Sequence, residues 1–242
     1  MPAHRTMNRV LIGCAGLSLI GMPVAHAAGP GGLSGLSSHS RDNTASLLKV
    51  ADDGEQETVQ GARNFIDNLA SRALSFLRDE ELSQDQLRQK FRVLLNESFD
   101  ITTLARFALG RYWRAASEEQ RATYLDLFEK MVIEVYSKRF SDYEGQRFVI
   151  EKARMANDTD AIVTSKVLPP KGEDGQTIKI DWRVRYKNSA YQIVDVIVEG
   201  VSMSLTKRSD FSAVIQRGGG DIAVLLAHLR EKYAVGESGQ PD

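Results

Sequence analysis

Cysteine and histidine are scarce. The chain of 242 residues has one cysteine, Cys14, and four histidines. A single thiol excludes an internal disulfide and any zinc site built from several cysteines. Charge of one sign is also lacking: 31 Lys and Arg stand against 32 Asp and Glu, for a net charge of −1. A nucleic-acid-binding chain would carry a basic excess or a basic stripe, and neither is present. Long apolar runs are missing as well. Residues 10–20 are apolar but fall short of the roughly 20 residues a membrane-spanning helix needs. The glycines form no G-x-G-x-x-G and no P-loop, so nucleotide binding has no support. The remainder, 42% hydrophobic and 26% charged residues, is the composition of a soluble globular chain.

The N-terminus has the layout of a secretory signal peptide. Arg5 and Arg9 precede the apolar stretch, and Ala25-His26-Ala27 supplies an A-x-A cleavage site, making Ala28 the first mature residue. Two alternatives stand beside this. In one, the segment stays uncleaved as an anchor. In the other, Leu11-Ile12-Gly13-Cys14 is a lipoprotein box, though only four residues separate Arg9 from Cys14. Cleavage removes the only cysteine, which suits an oxidising compartment, and leaves a net charge of −3. The domain reading is a signal peptide at 1–27, a disordered Gly/Ser-rich leader at 28–55, a folded domain at 56–234 and a disordered tail at 235–242. Leu47, Leu48 and Val50 are read as incidental apolar residues of the leader rather than a docking patch.

From Val59 to about Phe140 the apolar spacing is helical. Phe65, Ile66, Leu69, Ala73, Phe76 and Leu77 share one face. Ser83 with Gln86 and Ser117 with Gln120 match capping boxes. The first opens a helix carrying Leu87, Phe91, Leu94 and Leu95. The second opens the longest, with Leu125, Phe128, Val132, Val135, Tyr136 and Phe140 along one side. Between them Asp100 is expected to cap a short helix that Gly110 helps to end. After Gly145 the period becomes two. Ile178, Ile180, Trp182, Val184 and Tyr186 alternate with charged residues, and Val194, Val196 and Val198 mark the inner face of the next strand. Weaker strands are expected at about 147–155 and 161–167. The short link from Tyr186 to Tyr191 predicts a hairpin, hence an antiparallel sheet. Asp210 is expected to cap a segment carrying Phe211, Val214 and Ile215, Gly218 to Gly220 to break it, and Asp221 to open a last helix with Ile222, Leu225, Leu226 and Leu229. Helices, then four strands, then helix make an α+β fold.

Catalytic candidates are few. Only His228 stays in the folded region, beside an apolar helix face, where a packed histidine is the simpler reading. The acid pairs Asp52/Asp53, Glu80/Glu81 and Glu118/Glu119 read as solvated. Asp195 lies among apolar strand residues; it is either a general base or an outward-facing carboxylate paired with Arg183 or Arg185.

Several segments together resemble one family. They are Phe99-Asp100, Leu109-Gly110-Arg111-Tyr112-Trp113, Gln120-Arg121, Tyr124 through Phe128, residues 195–203 (D-V-I-V-E-G-V-S-M), and Arg208-Ser209-Asp210-Phe211. They resemble the MlaC-type toluene-tolerance auxiliary proteins, over roughly residues 60–232. The resemblance implies an NTF2-like cone, in which N-terminal helices pack on a curved four-stranded antiparallel sheet around an apolar cavity. It implies no enzymatic activity and no cofactor, a periplasmic monomer, and phospholipid as ligand. The implied partners are an outer-membrane lipoprotein–porin complex and an inner-membrane ABC transporter complex with MCE domains, the system that maintains outer-membrane lipid asymmetry. The long leader and the glycine triplet at 218–220 depart from the family pattern. The candidate lipid-binding walls are then Trp182, Val184 and Tyr186 on one strand, Val194, Val196 and Val198 on the next, and Phe128, Val132 and Tyr136 on the long helix. From periodicity alone the same residues describe a filled core; the resemblance favours a pocket. Arg111, Arg114, Lys138 and Arg139 are candidate bases for lipid phosphate or an acidic partner. Three further readings stay open: a hopanoid-associated branch of the family, a small NTF2-like enzyme using Asp195 with Tyr112 or Tyr191, and an interaction module with a filled core.

Overall fold

Two capping boxes frame the helical part of the chain. The computed structural model describes residues 41–233. The Ser83 hydroxyl accepts from Gln86 N–H, and the Gln86 side chain accepts from Ser83 N–H at 2.8 Å. Ser117 and Gln120 repeat the pattern at 3.1 and 2.9 Å. They open α2 (Gln84–Ser98) and α5 (Glu118–Ser137). Asp100 caps α3 (Ile101–Leu109), accepting from Thr103 N–H at 2.9 Å and from its hydroxyl at 2.6 Å. Gly110, at φ +60°, ends it, and one turn, α4 (Tyr112–Ala115), follows. Among the described residues no helix is long and apolar enough to cross a membrane.

The first helix, α1, runs Arg41–Leu77. It begins inside the stretch assigned to a disordered leader, which is a correction. Ala45, Leu47, Leu48, Lys49, Ala51, Glu55 and Gln56 are good helix formers, and the Gly/Ser character that suggests disorder is concentrated before them. The expected signal peptide at 1–27, residues 28–40 and the expected tail at 235–242 lie outside the described residues. The chain divides into two units, 1–57 and 58–242, and the sheet and both apolar cores belong to the second.

Five strands form one sheet in sequence order, all neighbours antiparallel: β1 (Arg147–Met155), β2 (Asp160–Leu168), β3 (Ile178–Lys187), β4 (Ala190–Val198) and β5 (Val201–Ser202). The fifth strand corrects the expected four. It is two residues long, too short for any period to announce it, and follows a tight turn with Glu199 and Gly200 both at positive φ. The hairpin between β3 and β4 turns through Asn188 and Ser189 at φ 52° and 60°, the mirror-image turn that matches strand twist.

Two further corrections concern helix starts and ends. Asp210 is no cap: α6 spans Met203–Arg217 and starts on Ser202, whose hydroxyl accepts from Leu205 N–H at 3.1 Å. Its first two turns are mostly polar, so their helical period carries no signal. Asp221 does open α7 (Ile222–Tyr233), accepting from Ala223 N–H at 2.8 Å. Phe140 is not on α5 but in a separate short turn, Phe140–Asp142.

The apolar residues gather in two cores. One is all helical: α3, α4, α5, α6 and α7 bury Ala105, Leu109, Tyr124, Phe128, Phe211, Ile215, Leu225 and Leu229. The other lies between α1, α2 and the sheet, with Ala62, Ile66, Leu69, Phe76, Leu87 and Leu94 facing Ala161, Val163, Val184 and Ile193. The helical core meets the sheet along β4, through α3 and α6.

Candidate functional site

Alternation along each strand places one apolar face of the sheet toward α1 and α2. Register aligns Val163, Trp182 and Val196 in one row, and Ser165, Ile180 and Val198 in the next. A bulge interrupts β4, where Val184 pairs with Ile193 and Arg183 with Asp195. Val194 is therefore the extra residue, and Ile193, which alternation assigns to the outer face, is the fully buried inner one. At the bulge the Ile193 carbonyl accepts from Asp100 N–H at 3.0 Å, tying the start of α3 to the sheet.

The two cores are packed differently. In the helical core Tyr124, Leu109, Ile215, Leu225 and Leu229 are at most 1% exposed. On the inner sheet face Phe148, Ile150, Ile178, Ile180, Trp182, Val196 and Val198 are only half-buried, although apolar. Across the layer Phe65 and Phe91 are half-buried too. The polar group of this face is already satisfied: Trp182 Nε1 donates to Ser165 Oγ at 2.9 Å, and Ser165 donates to the Ile180 carbonyl at 3.2 Å. Aromatic rings rim the layer. Phe148 lies 6.3 Å from Trp182, and Tyr191 lies 6.1 Å from Phe65 and 4.6 Å from Tyr186. A concavity of about 430 Å³ opens at the start of α2, lined by Leu82, Asp85, Gln86, Gln89 and Lys90; only Leu82 of these packs against the inner layer.

The opposite face is ionic. Asp160 is fully buried, and its carboxylate accepts from Arg183 Nε at 2.9 Å and from Arg185 Nε and Nη2 at 2.7 and 3.0 Å. Burial works against its charge, but the hydrogen bonds and charge of Arg185, with Arg183 and Asn157, outweigh it and lower the pKa to about 2. Asp181 is lowered likewise: burial opposes its charge, and the hydrogen bonds from Thr164 and Lys179 prevail.

The sequence-derived wall residues do not converge on one site. Trp182, Val184 and Val196 belong to the layer facing α1 and α2. Val198 shares that face by alternation. Val194 sits at the bulge. Phe128 and Val132 are in the helical core. Tyr136 and Tyr186 are 37% and 40% exposed. The 3.6-residue period identifies which side of α5 is apolar but not its cover; the cover is largely α7, not the sheet. Phe65, Phe91, Phe148, Val163 and Ile193 also belong to the layer facing α1 and α2 and are absent from the expected set. The first two are visible as apolar helix positions, and only the packing of α1 and α2 on the sheet brings them opposite β2–β4.

Asp195 does face outward but does not pair with an arginine, because Arg183 and Arg185 converge on Asp160. It accepts from the Ser202 hydroxyl at 2.6 Å, from Ser204 N–H at 3.2 Å and from Val196 N–H at 2.9 Å, fastening β4 to the start of α6. Tyr112 and Tyr191, its suggested partners in catalysis, belong to different cores. Tyr112 accepts from Arg111 at 2.9 Å, which lowers its pKa. His228 is half-buried on α7, and the pairs Glu80/Glu81 and Glu118/Glu119 are exposed. The side chains of Asp52 and Asp53 lie outside the described residues. Among the described residues no cluster of three or more His, Cys, Asp or Glu could hold a metal. Of the candidate bases, Lys138 pairs with Glu134 at 2.8 Å, Arg139 is half-buried, and Arg111 and Arg114 are exposed.

Known proteins share this outline. An intermembrane phospholipid transport system binding protein MlaC from Haemophilus influenzae is 22% identical over 117 residues, 48% of this chain and 55% of that protein's length. The toluene tolerance protein ttg2D of Pseudomonas putida is 21% identical over 178 residues, 73% of this chain and 80% of that one. A phospholipid-binding protein from Ralstonia solanacearum, solved in complex with a phospholipid, shares the fold at a TM-score of 0.62 and 24% identity, covering 72% of this chain and 97% of its own. The family model described as MlaC protein matches residues 67–231, which takes in part of α1, most of both cores and the whole sheet, and the chain therefore belongs to the MlaC protein family.

Proposed function

We propose that the protein is a non-enzymatic lipid carrier of the periplasm, exported by residues 1–27. It holds phospholipid acyl chains between the inner sheet face and α1–α2. The observation that carries this reading is the contrast between the cores. The helical core is closed, while the apolar wall of Trp182, Val196, Ile180 and Phe148 keeps accessible surface among its aromatic neighbours. Exposed apolar surface inside a layer has a use when an apolar ligand covers it. Acyl chains of about thirty methylenes cost about 24 kcal/mol to expose to water, so a carrier has to enclose nearly all of them. The Haemophilus influenzae relative is named for a phospholipid transport system and the Ralstonia solanacearum protein holds a phospholipid, which supports phospholipid over a hopanoid. The finer reading is a shuttle between an outer-membrane lipoprotein–porin complex and an MCE-domain ABC transporter complex of the inner membrane, serving outer-membrane lipid asymmetry.

The test is native mass spectrometry with lipid extraction on protein purified from the periplasm without detergent. A stoichiometric phospholipid on a chain beginning at Ala28 is expected. A lipid-free mass, with no uptake from phospholipid vesicles, would overturn the reading.

A further inference from the structure

On the sheet, Lys166, Lys179, Arg183 and Arg185 each pair with a carboxylate, and Arg147 and Arg154 donate to backbone carbonyls. The surface formed by α3, the turn after it and the facing side of α6 is different. Arg106, Arg111, Arg114 and Arg208 are exposed there, and among the described residues none has a carboxylate within ion-pair distance. Three of them lie against rings instead. The Arg208 guanidinium is 5.5 Å from the centre of Phe107, Arg106 is 5.4 Å from Trp113, and Arg111 is 4.9 Å from Tyr112. The Arg208 side chain also crosses Gly110 so closely that a Cβ there would lie 2.9 Å from its Nε, which joins α6 to the α3–α4 turn. Apolar groups stand among these charges: Phe107 is 41% exposed, and Leu205, one turn before Arg208, is 55% exposed.

A guanidinium supported by a ring keeps N–H groups at its edge for an oxyanion, and its fork matches phosphate in a bidentate way. Exposed Phe and Leu beside arginines are suited to the headgroup layer of a bilayer, where apolar side chains bury and bases meet anionic lipid. A nucleic acid fits less well, because base stacking needs open aromatic faces and the rings here already carry guanidiniums. We propose that this face docks the protein on an anionic phospholipid bilayer. The proposal is independent of the carrier reading, since none of its residues lines the layer between the sheet and α1–α2.

Co-flotation with vesicles tests it, comparing equimolar phosphatidylglycerol and phosphatidylcholine with phosphatidylcholine alone. Binding is expected to the anionic vesicles only, and to fall as salt is raised. Replacing Arg106, Arg114 and Arg208 together by Gln should weaken it about fivefold per guanidinium, about 100-fold in all. Leu205→Ser should weaken it without altering the salt dependence, and Arg114→Gln alone gives the single-charge step in a variant that disturbs no stacked pair. Lipid content by native mass spectrometry should stay at the wild-type level in each, which separates loss of docking from loss of carriage. Failure to float with anionic vesicles would overturn the proposal. So would a triple variant that floats like wild type, including one that loses affinity only for an acidic protein surface.

Discussion

Asp160 has no exposed surface, yet its pKa is lowered to about 2 from 3.8 because Arg185 and Arg183 more than offset its burial. A carboxylate whose folded pKa is depressed contributes stability above its unfolded pKa and loses it as pH falls through the folded value. The contribution of the Asp160 cluster should therefore be complete above about pH 4 and disappear as pH falls through about 2. The shift corresponds to about 2 kcal/mol at most, less because the arginines are 41% and 35% exposed to solvent. Asp160→Asn leaves two guanidiniums facing each other without their anion, and about 2–4 kcal/mol of stability should go. Urea midpoints measured between about pH 6 and pH 2 check both points, the variant showing the shallower acid decline. Parallel declines would assign the acid sensitivity to other carboxylates.

Gly61 carries a second residue-scale prediction. A Cβ at this position would lie 2.0 Å from the Tyr191 hydroxyl and 2.5 Å from its ring carbon Cζ. The ring cannot swing away cheaply, being stacked on Phe65 and against Tyr186. Gly61→Ala should cost about 1–3 kcal/mol through overpacking, despite the better helix propensity of alanine. Tyr191→Leu in the same chain should recover much of the loss, read as a coupling energy in a double-mutant cycle.

At the scale of elements, helix starts are legible wherever a side chain and a short spacing make the signal. Ser83 with Gln86, Ser117 with Gln120, and Asp100 each cap where the sequence places them. Ser83→Ala and Ser117→Ala should each cost about 1 kcal/mol. The two should add, because they cap different helices with no shared partner; thermal or urea unfolding of the single and double variants checks this. Strands β3 and β4 are legible from their period of two, and their hairpin from its length. The bulge at Val194 is not, because one extra residue among Ile193, Val194, Val196 and Ile197 changes no local composition. Strand β5 and the start of α6 are hidden for a related reason: two strand residues and mostly polar first two turns carry no period.

For the molecule as a whole, the question is which layer takes a ligand. If the space between the sheet and α1–α2 holds acyl chains, Val196→Trp should fill part of it and lower co-purified lipid severalfold while the chain still folds. Phe128→Ala should instead cost about 3–5 kcal/mol of stability with lipid content per folded chain unchanged, since Phe128 packs against Tyr124 and Phe211 in the closed core. Lipid-to-protein ratios of the two variants, purified side by side, decide between the layers. Equal loss of lipid in both would return α5 to the wall.

The sequence by itself determined the class of fold, the starts of α2, α3, α5 and α7, the antiparallel central strands and, through scattered motifs, the family. These are properties of short spacing, capping chemistry and period, which a chain carries locally. Except at the β4 bulge, it also showed which side of the main helices and strands is apolar. Only the tertiary structure decided which apolar sides meet, so that α5 closes a helical core with α7 while α1 and α2 face the sheet. It likewise decided that Arg183 and Arg185 take Asp160 and not Asp195. Strand register and helix packing are relations between residues far apart in the chain. Several partners of the right polarity compete for each face, and the arrangement that buries them together selects among them.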